Sequence, residues 1–166
     1  MKTVDQMRRD AAASAHSVEF DPDLYYKKGR YTCDKGEVDA PNCLVYFAAR
    51  RLDADPQVTS FTTNGAAYQF YHPAKKTILQ GWFDFDVRMK DHSRRLLYVT
   101  SAHFVQTRDE EAKIEGAECA ATDHKARFEL WTEFELFGEK PEYMRSVVRF
   151  IMDRLYLLLP LERNQP

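Results

Sequence analysis

Asp84 and Asp86 stand two residues apart in the run Phe83-Asp84-Phe85-Asp86-Val87, so on an extended strand their carboxylates share one face. In the strand register read below, Gln80 faces His103 on that same side. Two carboxylates with an imidazole are material for acid–base chemistry. The same residues also make an ordinary solvated polar face, and that is the preferred reading. A second set, Tyr68, Tyr98, Thr100 and Thr132, places polar tips among aromatics such as Phe83 and Phe85. Such groups orient a ligand inside an apolar cavity, or else find backbone partners in a packed core.

The sequence carries no nucleophile elbow, phosphate-binding loop, dinucleotide fingerprint or metalloprotease motif. Its histidines, His16, His72, His92, His103 and His124, are scattered. Cys33 and Cys43 lack zinc-site spacing, and no histidine pair completes a site. We expect no bound metal and no cofactor. Cys119 makes the cysteine count odd and no apolar leader core follows Met1, so reduced thiols in an intracellular setting are expected, the cytoplasm or an equally reducing organelle interior.

A formal net charge of −2 argues against a dedicated nucleic-acid binder. The segment Tyr-Tyr-Lys-Lys-Gly-Arg-Tyr over 25–31 alternates aromatic and basic residues, but a solvated hairpin accounts for it. With 44% hydrophobic and 30% charged residues, the 166-residue chain is an ordinary globular composition that fits one domain. No stretch is apolar for long enough to span a membrane.

The elements that must position these residues read as follows. Thr3 and Gln6 set a capping pattern for a first helix over 4–16, within an N-terminal region of 1–17. A sheet-rich body follows over 18–137. Residues 24–32 read as an edge strand interrupted at Gly29, and 36–42 as a loop. Residues 43–52 fit either a helix starting near Asn42 or a buried strand, with helix preferred. Asn64 and Gly65 between two apolar runs signal a two-residue hairpin that sets Phe61 opposite Tyr68. A four-residue turn over 73–76 sets Phe70 opposite Leu79 and Tyr68 opposite Gly81. Residues 77–89 alternate as one long strand. A four-residue turn over 90–93 then sets Val87 opposite Leu96 and Phe85 opposite Tyr98. Residues 108–125 read either as a strand pair with a loop or as a loop with one helical turn. Residues 126–137 read as a further strand with Phe128, Leu130, Phe134 and Leu136 on one side. Pro141 opens a long helix over 141–159, with Met144, Val147, Val148, Ile151, Leu155 and Leu158 at helical spacing.

These elements predict an α+β domain over 1–166, a curved antiparallel sheet of five or six strands covered by the C-terminal helix. That architecture resembles the helix-grip folds and the nuclear-transport-factor cone, which implies a cavity between sheet and helix. The outer sheet face carries Trp82 and Trp131. The C-terminal helix carries Phe150, Tyr156 and Leu157 beyond its main stripe, and aromatics in a polar frame mark interfaces. The expected function is a non-catalytic interaction or accessory subunit with a protein partner or a second copy. The alternative is a binder of an apolar small molecule or lipid under the helix, or a cofactor-free enzyme using that cavity.

Overall fold

The computed structural model describes residues 3–14 and 22–138. The helix expected over 141–159, with Phe150, Tyr156 and Leu157, lies outside them. The described chain is α+β, in the order α1 (Val4–Ser14), α2 (Pro22–Tyr25), β1 (Gly29–Cys33), β2 (Gly36–Ala40), α3 (Cys43–Ala54), β3 (Val58–Thr62) and β4 (Ala67–His72). It continues with β5 (Thr77–Trp82), β6 (Phe85–Met89), β7 (Arg94–Val99), α4 (Arg108–Asp123), β8 (Arg127–Trp131) and α5 (Glu133–Phe137).

Local chemistry starts the main helices. The Asn42 side chain accepts from the Val45 N–H at 3.0 Å and caps α3. Thr107 caps α4, whose first turn carries Asp109, Glu110 and Glu111 against the positive end of the helix dipole. At α5, Thr132 and Glu135 form a reciprocal capping box.

The central sheet has the order β3-β6-β7-β8. Its first three strands are antiparallel, and β8 runs parallel to β7 with Tyr98 beside Leu130. A parallel neighbour requires a crossover, and α4 supplies it. Two antiparallel ribbons, β1–β2 and β4–β5, flank this sheet.

Both faces of the central sheet are buried. Phe61, Phe85, Val87, Leu97 and Val99 join Leu44, Phe47 and Leu52 of α3 in one core. Leu96, Tyr98 and Leu130 join Ile114, Ala117 and Ala121 of α4, with Tyr68, Phe70 and Phe83, in another. Each buried Phe or Leu contributes about 1.5–3 kcal/mol.

Several expectations are corrected here. Asn64 and Gly65 do not make a hairpin: β3 pairs with β6, while β4 pairs with β5. Phe61 and Tyr68 therefore belong to different cores. Each strand satisfies its period of two under its own helix, so alternation alone does not decide whether the strands share a sheet. The run 77–89 is broken after Trp82. Phe83 N–H donates to Ala66 O and Asp84 N–H to Leu97 O, each at 3.0 Å. Leu79 and Phe83 consequently face α4, while Phe85, Val87 and Met89 face α3.

The turn after β6 uses three residues, with His92 at φ 66 and the Met89 N–H bonded to Ser93 O. Arg88 then sits opposite Arg94 and Phe85 opposite Leu97. This one-residue slip puts Phe85 and Tyr98 on opposite faces rather than together. Residues 36–40 are strand β2, paired across a tight turn with β1, and α2 replaces the start of the expected strand over 24–32. Residues 108–123 are helix, and the last strand ends at Trp131, so Phe134 and Leu136 lie on α5. The turn over 73–76, with Phe70 opposite Leu79 and Tyr68 opposite Gly81, stands as read, as does the helix after Asn42.

Candidate functional site

The break between β5 and β6, the end of β7 and the first turn of α4 meet around a cavity of ≈ 540 Å³. Asp84, Glu110 and Lys113 supply its charges, and aromatic rings form much of its wall.

Asp84 sits where the strand breaks, because its carboxylate takes over the ladder. Its Oδ2 accepts from the Val99 N–H at 2.7 Å. Burial pushes the Asp84 pKa up to about 7; the Val99 N–H opposes that rise, and the negative charge of Glu110 adds to it.

Glu110 enters from the first turn of α4 and is buried. Its Oε1 accepts from the Tyr98 hydroxyl at 2.9 Å and the Thr100 hydroxyl at 2.5 Å. Its Oε2 accepts from Lys113 Nζ at 3.1 Å. Burial, with the charge of Glu110, holds the Tyr98 hydroxyl firmly protonated. Tyr68 meets Tyr98 edge to face, with ring centroids 6.1 Å apart. A side chain at Gly81 would collide with the Tyr68 ring, so glycine on β5 lets that ring lie across the strand. Gly116 does the same for α4, which approaches the backbone of Gln69.

Of the residues expected to line a ligand site, the structure brings together Tyr68, Tyr98 and Thr100 on the cavity wall. Phe83 backs Tyr68 at 5.3 Å between centroids. Phe85 lies in the other core against Phe61. Thr132 is spent as the cap of α5. The expected acid–base cluster divides as well. Asp84 and Gln80 line the cavity, whereas Asp86 holds Arg94 through two bonds of 2.8 and 2.6 Å. His103 lies in the loop after β7, its ring against Phe104.

Among the expected partner-surface residues, Trp82 is half exposed at the cavity rim. Trp131 is partly buried against the α3 core, with the Arg51 guanidinium 5.4 Å from its ring centroid.

Glu110 and Lys113 were missed from the sequence, whereas Tyr25 and Tyr26 belong to the run over 25–31 that reads there as a solvated hairpin. The signal for the first two was present: Thr107 followed three residues later by Glu110 is a helix-start pattern. Glu110, Ile114, Ala117 and Ala121 then recur at helical spacing on one face.

Two other buried carboxylates serve the fold. Glu133 accepts from Ser101 Oγ at 2.5 Å and the Ala102 N–H at 2.7 Å, tying α5 to the loop after β7. Glu129 lies 3.4 Å from Arg95 and 3.2 Å from Arg127. Cys33, Cys43 and Cys119 are free thiols, and burial pushes Cys43 up to about 12. Among the described residues no three His, Cys, Asp or Glu side chains gather into a metal-enclosing group, and no helix is long and apolar enough to cross a membrane. The chain matches no protein-family model, and comparison with curated proteins finds no match.

Proposed function

We propose that the Asp84–Glu110–Lys113 cavity binds and hydrolyses a phosphate ester with the help of a divalent cation. The observation that carries this reading is the convergence of two carboxylates from separate elements, with a lysine, on one cavity. Burial raises the pKa of Asp84, and the negative charge of Glu110 adds to that rise although Lys113 is close. A hard dication relieves that repulsion, and Mg²⁺ characteristically uses only one or two carboxylates, completing its shell with water and phosphate oxygens. When bound, the cation would polarise the phosphoryl oxygen and an attacking water.

The chain's own residues do the rest. Asp84 presents its carboxylate at the end of the sheet, held in place by the Val99 N–H. Tyr98 and Thr100 fix the orientation of Glu110. Lys113, partly exposed and 3.1 Å from Glu110 Oε2, would turn its remaining N–H donors to a phosphate oxygen. Charged groups in the wall make a lipid or other purely apolar ligand a poor fit.

The test is Mn²⁺- or Mg²⁺-dependent cleavage of a phosphodiester by purified protein. Asp84→Asn should lower the rate at least 100-fold, on the order of what removing one preorganised charged group costs. Cleavage that persists with Asp84→Asn, or that ignores chelation, defeats the reading.

A second reading, an interaction subunit, is favoured by a different observation. Tyr71 and Ile78 face each other across the β4–β5 ribbon, and both are exposed. Under that reading Ile78→Asp changes the solution mass, or the capture of a partner, without altering the fold.

A further inference from the structure

Resting on the phosphate-ester reading, we infer that the ligand of this cavity carries a flat heteroaromatic base beside its phosphate, so that it is a nucleotide unit of a single-stranded nucleic acid stacked on Trp82 and Tyr26.

The large apolar side chains left exposed among the described residues are Tyr26, Tyr71, Ile78 and Trp82. Tyr26 and Trp82 come from different elements, one just after α2 and the other at the end of β5, yet both line this cavity. They are 59% and 50% exposed. Exposed tyrosine and tryptophan faces are the surfaces on which nucleobases stack, and the stacking tolerates any base because every base has a π-face. The remaining wall suits such a ligand. Tyr25 packs edge-on against Tyr26 at 4.9 Å and against Phe104 at 5.7 Å, which braces the platform from behind. Gln80 adds an amide to the same wall, a group with both donors and acceptors for a base edge. Lys113 and the two carboxylates line the same cavity, and there the phosphate and its cation would sit. The stretch that follows Tyr26 is Lys27, Lys28 and Arg30. Arg30 is itself engaged by Asp39 at 2.7 and 3.2 Å, so the aromatic platform rather than a basic field supplies most of the recognition. A base on the aromatic rim and a phosphate in the acidic interior match the two chemistries of the cavity, one for each end of a nucleotide.

The experiment uses the full chain with Trp131→Phe, so that Trp82 is the one remaining indole. The probes are a short thymidine oligonucleotide and an abasic oligomer of the same length, each titrated with Ca²⁺ in place of Mn²⁺ so that neither is cleaved during the measurement. The thymidine oligomer should quench Trp82 fluorescence and bind at least tenfold more tightly than the abasic one. Trp82→Ala, followed by anisotropy of a labelled oligomer, should weaken thymidine binding about tenfold, the scale of one lost base stack, and leave abasic binding unchanged. Equal affinity for the two oligomers, or equal loss of both with Trp82→Ala, overturns the stacking. Stabilisation of the protein by Mn²⁺ alone is the control for the site beneath it. If Mn²⁺ stabilises the protein but the bases make no difference, only this inference fails. If Mn²⁺ has no effect, the phosphate-ester reading fails and takes the inference with it.

Discussion

The two faces of the central sheet are built from the same strands and do different work. The face under α3 is closed with aliphatic and aromatic side chains, Phe61, Phe85, Val87 and Leu97 against Leu44, Phe47 and Leu52. The face under α4 is also packed, but at its upper end it admits Glu110, Asp84, Tyr98 and Thr100 around a cavity. The first face is arranged for stability. The second gives up packing to hold charges out of water, which is costly unless something is gained by it. On the proposed function, the contrast is one of binding chemistry held at the expense of local stability.

Truncation on the two faces should break this comparison into parts of decreasing size. Phe85→Ala empties a fully buried site on the α3 face and should cost about 3–5 kcal/mol in a denaturant melt. A loss below 1 kcal/mol would show that this face is not the stabilising one. On the α4 face, Glu110→Ala leaves the Tyr98 and Thr100 hydroxyls without their acceptor and should cost about 1–3 kcal/mol. Glu110→Gln should recover part of that stability and none of the cation response. Thr132→Ala, which removes the cap of α5, should cost about 1 kcal/mol and leave oligonucleotide binding untouched.

How much of this was legible in the sequence follows the same divide. The helix behind Asn42 and the β4–β5 ribbon could be read, because capping and a four-residue turn are local. The division of strands between two cores could not. Phe61 and Tyr68 each satisfy an alternating pattern, and nothing within either strand says which helix covers it. The slip at Lys90, Asp91 and His92 turned on His92 adopting a left-handed backbone, φ 66, which glycine or asparagine would have advertised. Reading that turn one residue too long set Phe85 opposite Tyr98 and so put on one face two residues that lie in different cores. For the site, Tyr68, Tyr98 and Thr100 were recognised as polar tips in an apolar setting. Glu110, the acceptor that joins Tyr98 to Thr100, was hidden in a segment whose helix start at Thr107 went unread.

Asp84 is held in the fold against its preference for the ionised form, and on the proposed function a cation relieves it. Its folded pKa of about 7 lies above the ordinary carboxylate value of 3.8. Between these values the native state binds the proton more tightly than the unfolded chain, so the contribution of Asp84 to stability is greatest below pH 4 and falls as pH rises towards 7. Above pH 7 the ionised carboxylate is a net cost of about 2 kcal/mol, discounted because one side of it meets the open cavity. The direct measurement is the thermal midpoint at pH 8, without and with Mn²⁺, for the natural sequence and for Asp84→Asn. Without metal, Asp84→Asn should melt several degrees higher, about 3–6 °C for a domain of this size. Saturating Mn²⁺ should raise the natural protein by a comparable amount and leave Asp84→Asn where it was. A natural protein indifferent to Mn²⁺, together with an Asp84→Asn variant that melts no higher, would contradict the account.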